Sequence, residues 1–237
     1  MGLANGLHHL AINTNNIEAQ LEFFTQACGM ELVSFYWMHG VKDAYHIFMR
    51  LNDNASVALV RDPADNGVDA KEEHCGPLGA RMMGAMQHVS FNVDNMDDLV
   101  AMRDRIRSHG YQTFGPVDHG FCWSVYIPGA PEANMMMEFS CNDDPIDPKK
   151  WIDPTTLTHA GISAEQIKRY QNPAPFVSQE GKVSQPELDT SKQFLHPMMV
   201  EILGDPNKTA DFEAKITQPK DHTRPANAPQ VAEKARS

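Results

Sequence analysis

Residues 9–18 and 88–97 carry the same pattern twice. His9-Leu10-Ala11-Ile12-Asn13-Thr14-Asn15-Asn16-Ile17-Glu18 returns as His88-Val89-Ser90-Phe91-Asn92-Val93-Asp94-Asn95-Met96-Asp97. Each copy opens with a histidine in an apolar, alternating run, passes an Asn/Asp cap and gives way to a helical pattern. An internal repeat means one supersecondary unit used twice. A pseudo-twofold fold built that way can bring two strand-opening imidazoles together.

The flanking patterns define the unit. Residues 7–13 alternate like a half-buried strand. Asn15 is a candidate helix cap with Glu18 three positions on, the capping-box spacing. Ile17, Leu21, Phe24 and Cys28 then predict one apolar helical stripe, ended by Gly29. Strands are predicted at 30–38, 44–51 and 56–61, with Asn52-Asp53-Asn54 as a hairpin turn. The second copy repeats the order. A strand at 86–93 precedes a helix capped by Asp94, with apolar positions at Met96, Leu99, Met102 or Arg103, and Ile106. Gly110 ends it, and strands follow at 111–116, 121–127 and 135–141. The fold class is α+β: paired βαβββ modules at 7–62 and 85–141, within a domain at 5–142. Residues 63–83, rich in Gly, Pro and charge, form the linker.

The strand patterns also select chemistry. Adjacent strand residues point to opposite faces. The repeat aligns Gln87 with His8, so His9 rather than His8 pairs with His88. Glu138, in the run Met135-Met136-Met137-Glu138-Phe139, would be costly to bury without a partner. Two histidines and one carboxylate with open positions is the usual ligand set of non-haem Fe(II) oxygenases. His39, His74, His109, His159, His196 and His222 read as structural or surface residues. The methionines read as adaptable packing.

Paired βαβββ units with His opening the first strand of each resemble the vicinal-oxygen-chelate superfamily over residues 7–141. That superfamily holds glyoxalases, bleomycin-resistance proteins and type I extradiol dioxygenases, and the resemblance implies that the two modules form one cupped mixed sheet around a metal site. Glyoxalase-like members resemble four-ligand sites, with a ligand on the last strand of the first unit; here Ser56-Val57-Ala58-Leu59-Val60-Arg61 offers none. The segment Gly115-Pro116-Val117-Asp118-His119-Gly120, then Ser124-Val125-Tyr126, then Glu138, looks like the Asp-His-Gly…Ser-x-Tyr…Glu segment of extradiol enzymes. The resemblance implies His119 lining the substrate site, Tyr126 donating to a substrate oxygen, and His46 as an acid/base histidine. It departs after Tyr126, where the family's Asp-Pro-x-Gly turn becomes Pro128-Gly129-Ala130-Pro131-Glu132-Ala133-Asn134. The implied activity is Fe(II)-dependent extradiol ring cleavage of a small aromatic diol with O₂, with Mn(II) as the other metal. The rival readings are a non-redox isomerase or lyase of the glyoxalase type, and a non-enzymatic binder of aromatic ligands.

Charge narrows the partners. Residues 1–141 carry 17 acidic and 8 basic side chains, and the whole chain is at −11. An acidic repeat region without a basic stripe argues against nucleic acid and anionic membranes. No run reaches the ~18 apolar residues of a membrane helix. Four cysteines without a Cys-x-x-Cys pair suggest plain cytosolic thiols and a cytoplasmic protein, and the resemblance implies a homo-oligomer. Residues 143–237 form a C-terminal extension holding 11 of the 16 prolines. Ser163-Ala164-Glu165-Gln166 reads as a capped helix start and residues 194–203 as an apolar docking segment. From Gly204 onward the composition is near that of a disordered tail.

Overall fold

The two copies of the repeat become two βαβββ modules, each with a four-stranded mixed sheet. The computed structural model describes residues 4–38, 41, 43–62, 84, 86–129, 131, 136–178, 183–192 and 195–217. In the first module β1 (His9–Asn13), β2 (Glu31–Trp37), β3 (Tyr45–Asn52) and β4 (Ala55–Arg61) stand in the order β1-β4-β3-β2. In the second, β5 (His88–Asn92), β6 (Phe114–Asp118), β7 (Trp123–Ile127) and β8 (Met136–Cys141) stand in the order β5-β8-β7-β6. The first strand of each module pairs in parallel with the last; the remaining pairings are antiparallel hairpins. The linker at 63–83 lies outside the described residues.

Each module's helix covers one face of its sheet. Helix α1 (Ile17–Leu21) is capped by Asn16, whose side chain accepts from Ala19 N. The cap therefore sits one residue beyond the expected Asn15. A π-helical stretch, Glu22–Ala27, follows directly. The wider turn rotates the stripe, so Phe23 and Phe24 are both buried while Ile17 and Leu21 are only half-buried. A regular helical period predicts only Phe24 of that pair. Helix α2 (Met96–Ser108) is capped by Asn95, accepting from Asp98 N, rather than by Asp94. It buries Leu99 and Ile106, as its period predicts.

One hydrophobic cluster joins the helix-side residues of both modules. Phe23, Phe24, Ile47, Val57 and Leu59 share it with Phe91, Leu99, Ile106, Val125 and Phe139. Phe23 meets Tyr111 edge-to-face at 4.8 Å between centroids. Arg105 donates from Nε and Nη2 to the Gln26 carbonyl at 3.1 and 2.8 Å. The helix sides of the modules thus supply the shared core. The opposite strand faces stay open: His9, Ala11 and Asn13 on β1, and Ser90 and Asn92 on β5, are exposed.

Two glycines shape the rim of the second sheet. Gly115 (φ +111°) lies so close to the Ser124 carbonyl oxygen that a side chain would collide with it. Gly120 (φ +82°) leaves room for the indole of Trp151.

Trp151 closes α3 (Pro148–Trp151) and meets Phe121 edge-to-face at 5.3 Å. Helices α4 (Pro154–His159) and α5 (Ala164–Gln171) follow. The expected start of α5 is present as a full capping box between Ser163 and Gln166. The chain divides into two compact units: residues 4–172, and the described residues from 173 onward. The second unit holds α6 (Pro197–Leu203) and α7 (Pro206–Thr217). Helix α7 corrects the expectation of a disordered tail after Gly204. Its cause is local: Pro206 opens the helix, Asp205 accepts from Asn207 N at 2.9 Å, and Lys208 Nζ reaches Glu201 Oε1 on α6 at 2.6 Å. Phe194 and the residues beyond 217 lie outside the described residues. Among the described residues no helix is long and apolar enough to cross a membrane.

Candidate metal and substrate site

Strand alternation sorts the side chains of β8. Met137, Phe139 and Cys141 join the core, so Glu138 and Ser140 share the other face. Glu138 is only 4% exposed. A carboxylate so buried needs partners on both oxygens, and it has them. His88 Nε2 lies 2.9 Å from Oε2, and Ser140 Oγ donates to Oε1 at 2.7 Å. The parallel register sets Ser90 opposite Glu138 and His88 opposite Met136, one step along β5. Behind Ser140 lie Ser90 Oγ at 2.5 Å and Ser124 Oγ at 3.2 Å. Cys122 Sγ is 3.8 Å from Ser124 Oγ. Gln87 Oε1 accepts from His88 Nδ1.

Beside this pair stand two residues from the neighbouring strands. Tyr126 on β7 is the antiparallel partner of Glu138. Its hydroxyl lies 2.9 Å from His119 Nε2, and Phe114 stacks on its ring at 4.9 Å. Burial, then the negative charge of Glu138, push the Tyr126 phenol above its ordinary pKa. It stays a neutral donor. His88, Ser90, His119, Tyr126, Glu138 and Ser140 line one cavity of about 520 Å³, with apolar walls from Phe121 and Ile146.

The other predicted site residues gather on the first module. His9 Nδ1 is 2.9 Å from His8 Nδ1, and the His9 ring meets Phe48 at 5.6 Å. His46 lies 4.5 Å from Phe48, and its Nδ1 is 3.1 Å from the Tyr36 hydroxyl. Among the described residues the buried His46 Nε2 has no hydrogen-bond partner. Burial, then the charge of His9, lower the pKa of His46 and keep it neutral. The structure therefore brings His88, Glu138, His119 and Tyr126 together, and His9 with His46. Among the described residues no group of three or more His, Cys, Asp or Glu stands close enough to hold a metal ion.

Register explains why the modules differ. Ala11 faces Ala58 in the first module as Ser90 faces Glu138 in the second. Ala58 thus stands where Glu138 stands, and Phe48 where Tyr126 stands. Sequence reasoning missed Gln87, Ser90, Ser124 and Ser140. Their signal was available only in comparison: each hydroxyl of the second module is matched by Ala11, His46 or Val60 in the first.

This duplicated fold with its polar strand faces is that of a family whose model, the Glyoxalase/Bleomycin resistance protein/Dioxygenase superfamily, matches residues 6–137. The match covers more than half of the chain, and the protein belongs to that family. Solved structures resemble it at low identity. A glyoxylase/bleomycin resistance protein/dioxygenase domain from Frankia sp. EAN1pec is 14% identical, with 60% of this chain and 96% of that one covered, at TM-score 0.49. A glyoxalase/dioxygenase from Nostoc punctiforme is 18% identical, with 59% and 92% covered, at 0.44. Lactoylglutathione lyase from Agrobacterium tumefaciens is also 18% identical, with 59% and 95% covered, at 0.40. No curated protein matches the sequence.

Proposed function

We propose that the protein is an Fe(II)-dependent extradiol dioxygenase that cleaves the ring of a catechol-type substrate. The observation that carries this reading is the donor set. His88 Nε2 and Glu138 Oε2 converge at 2.9 Å in a cavity that also holds His119 and Tyr126. At the matching place in the first module stands Ala58, which has no donor. With His9 the set is two imidazoles and one carboxylate, which suits Fe(II), or Mn(II), and leaves positions for a diol and O₂. The absent fourth ligand favours this reading over a glyoxalase-type isomerase or lyase.

His9 reaches the pair from a second copy of the chain, whose open first-module face covers the cavity. The exposure of His9, Ala11 and Asn13 supports that arrangement. The same docking brings His46 to the cavity. A bound metal lowers the pKa of a coordinated hydroxyl and holds both reactants together. The chain's own groups do the rest. Tyr126 donates its phenolic proton to a substrate oxygen. His119, one hydrogen bond away, accepts or returns a proton. Neutral His46 is the second acceptor. Phe121 and Ile146 exclude water from one wall of the cavity.

The test is anaerobic purification, elemental analysis and oxygen uptake with a catechol panel. Stoichiometric iron with oxygen consumption and a ring-cleaved product is the expected outcome. Full iron loading without oxygen uptake on any catechol would move the assignment to the isomerase or lyase. A protein that takes no metal yet binds aromatic ligands would be a binding protein.

A further inference from the structure

The Glu138–His88 pair is held by two side chains outside the ligand set: Ser140, on the cavity wall, and Gln87. Ser140 Oγ donates to Glu138 Oε1 at 2.7 Å, which leaves Oε2 toward His88. Gln87 Oε1 can only accept, so the hydrogen bond it makes with His88 requires a proton on Nδ1. With Nδ1 donating to Gln87, Nε2 is the atom that faces Glu138. Both supports act on the far atom of their residue, and the two near atoms meet at 2.9 Å.

The duplicated module acts as an internal control. Where the carboxylate is replaced by Ala58, the hydroxyls behind it are replaced too. Val60 stands at the place of Ser140, Ala11 at that of Ser90, and His46 at that of Ser124. The support of the histidine persists in both modules: His8 Nδ1 is 2.9 Å from His9 Nδ1, as Gln87 is bonded to His88. Hydroxyl support follows the carboxylate, and imidazole support follows the histidine.

We propose that Ser140 and Gln87 are positioning residues that aim Glu138 Oε2 and His88 Nε2 at one shared metal position. The inference rests on the metal-binding reading above. Outer groups of this kind set ligand orientation, and their loss typically costs roughly 10–100-fold in metal affinity. Ser90 and Ser124 orient the Ser140 hydroxyl and act one step further back.

Two measurements on the full chain test it. The first is Mn(II) titration of wild type, Ser140→Ala and Gln87→Ala, with thermal melting to confirm folding. Each variant is expected to bind Mn(II) roughly 10–100-fold more weakly. Ser140→Thr and Gln87→Glu, which keep the donor and the acceptor, are expected to restore most of the affinity. The second needs no metal: imidazole ¹⁵N NMR of the metal-free protein. The Nδ1–H of His88 is expected to be hydrogen-bonded in wild type and to lose that hydrogen-bond shift in Gln87→Ala. Unchanged Mn(II) affinity in both alanine variants, or an unchanged His88 Nδ1–H signal in Gln87→Ala, overturns the proposal. If wild type binds no Mn(II) while that signal still shifts in Gln87→Ala, the metal reading fails and the positioning of His88 by Gln87 stands.

Discussion

The two modules share a backbone plan and differ in what their open faces can do. Both pair their first and last strands in parallel and bury one helix against the sheet. The second module places a buried carboxylate at Glu138, surrounds it with serine hydroxyls, and sets Tyr126 and His119 beside it. The first places Ala58 there, with His9, Tyr36, His46 and Phe48 forming an aromatic and imidazole surface. Duplication therefore preserved what the core demands and left the open faces free to diverge. A core position is constrained by packing on all sides, whereas an open face is constrained by its ligand.

The largest expected effects fall on the ligand set. His88→Ala and Glu138→Ala should each lose most bound metal, with the fold retained by circular dichroism; His9→Ala should do the same. Mixing His9→Ala with His88→Ala protein should restore one complete site per mixed dimer, read as metal per chain. Stoichiometric metal in all three single variants would place the site elsewhere. An absence of recovery on mixing, with the subunits shown to exchange, would put His9 in the same chain as its partners.

Next come the residues beside the pair. His119→Ala should keep metal and bind catechol but turn over roughly 10²–10⁴-fold more slowly, measured as single-turnover oxygen consumption. Tyr126→Phe should cost less. Because the Tyr126 phenol is held above its ordinary pKa, it keeps its proton through neutral and moderately alkaline pH. Any alkaline loss of activity owed to Tyr126 should begin above pH ~10 and vanish in Tyr126→Phe. Wild-type turnover in His119→Ala would transfer the proton-transfer role to His46.

Core substitutions should treat the modules alike. Phe23→Ala in the first and Phe139→Ala in the second, both buried, should each destabilise by about 3–5 kcal/mol in denaturant melts. A stable module beside a collapsed one would show that the cluster is not shared.

The last prediction grafts the difference itself. Ala58→Glu places a carboxylate at the first module's matching position, where Ala58 is fully buried. Without a partner it should cost about 3–5 kcal/mol, and added divalent metal should recover stability if His9 can join it. A melting temperature indifferent to metal would show that the second module's hydroxyls, absent here, are needed as well.

Much of this was legible in the sequence. The repeat, the strand order and the placing of His9, His88 and Glu138 on strands follow from alternation and spacing, because those patterns are local. The capping box at Ser163 was readable for the same reason. Other features needed the tertiary structure. The π-helical stretch buries Phe23 beside Phe24 because the second module's Tyr111 offers a surface for it, which no period along one helix records. Helix α7 forms where composition suggests disorder, since its cap, Asp205, and its ion pair with Glu201 are single contacts rather than compositional averages. The cluster of Ser90, Ser124 and Ser140 around Glu138 is set by register between strands distant in sequence. So are the grouping of His9 with His46 and Phe48 and of His88 with Tyr126 and His119. A sequence determines which face of its strand a residue occupies; only the pairing of strands decides which residues share that face.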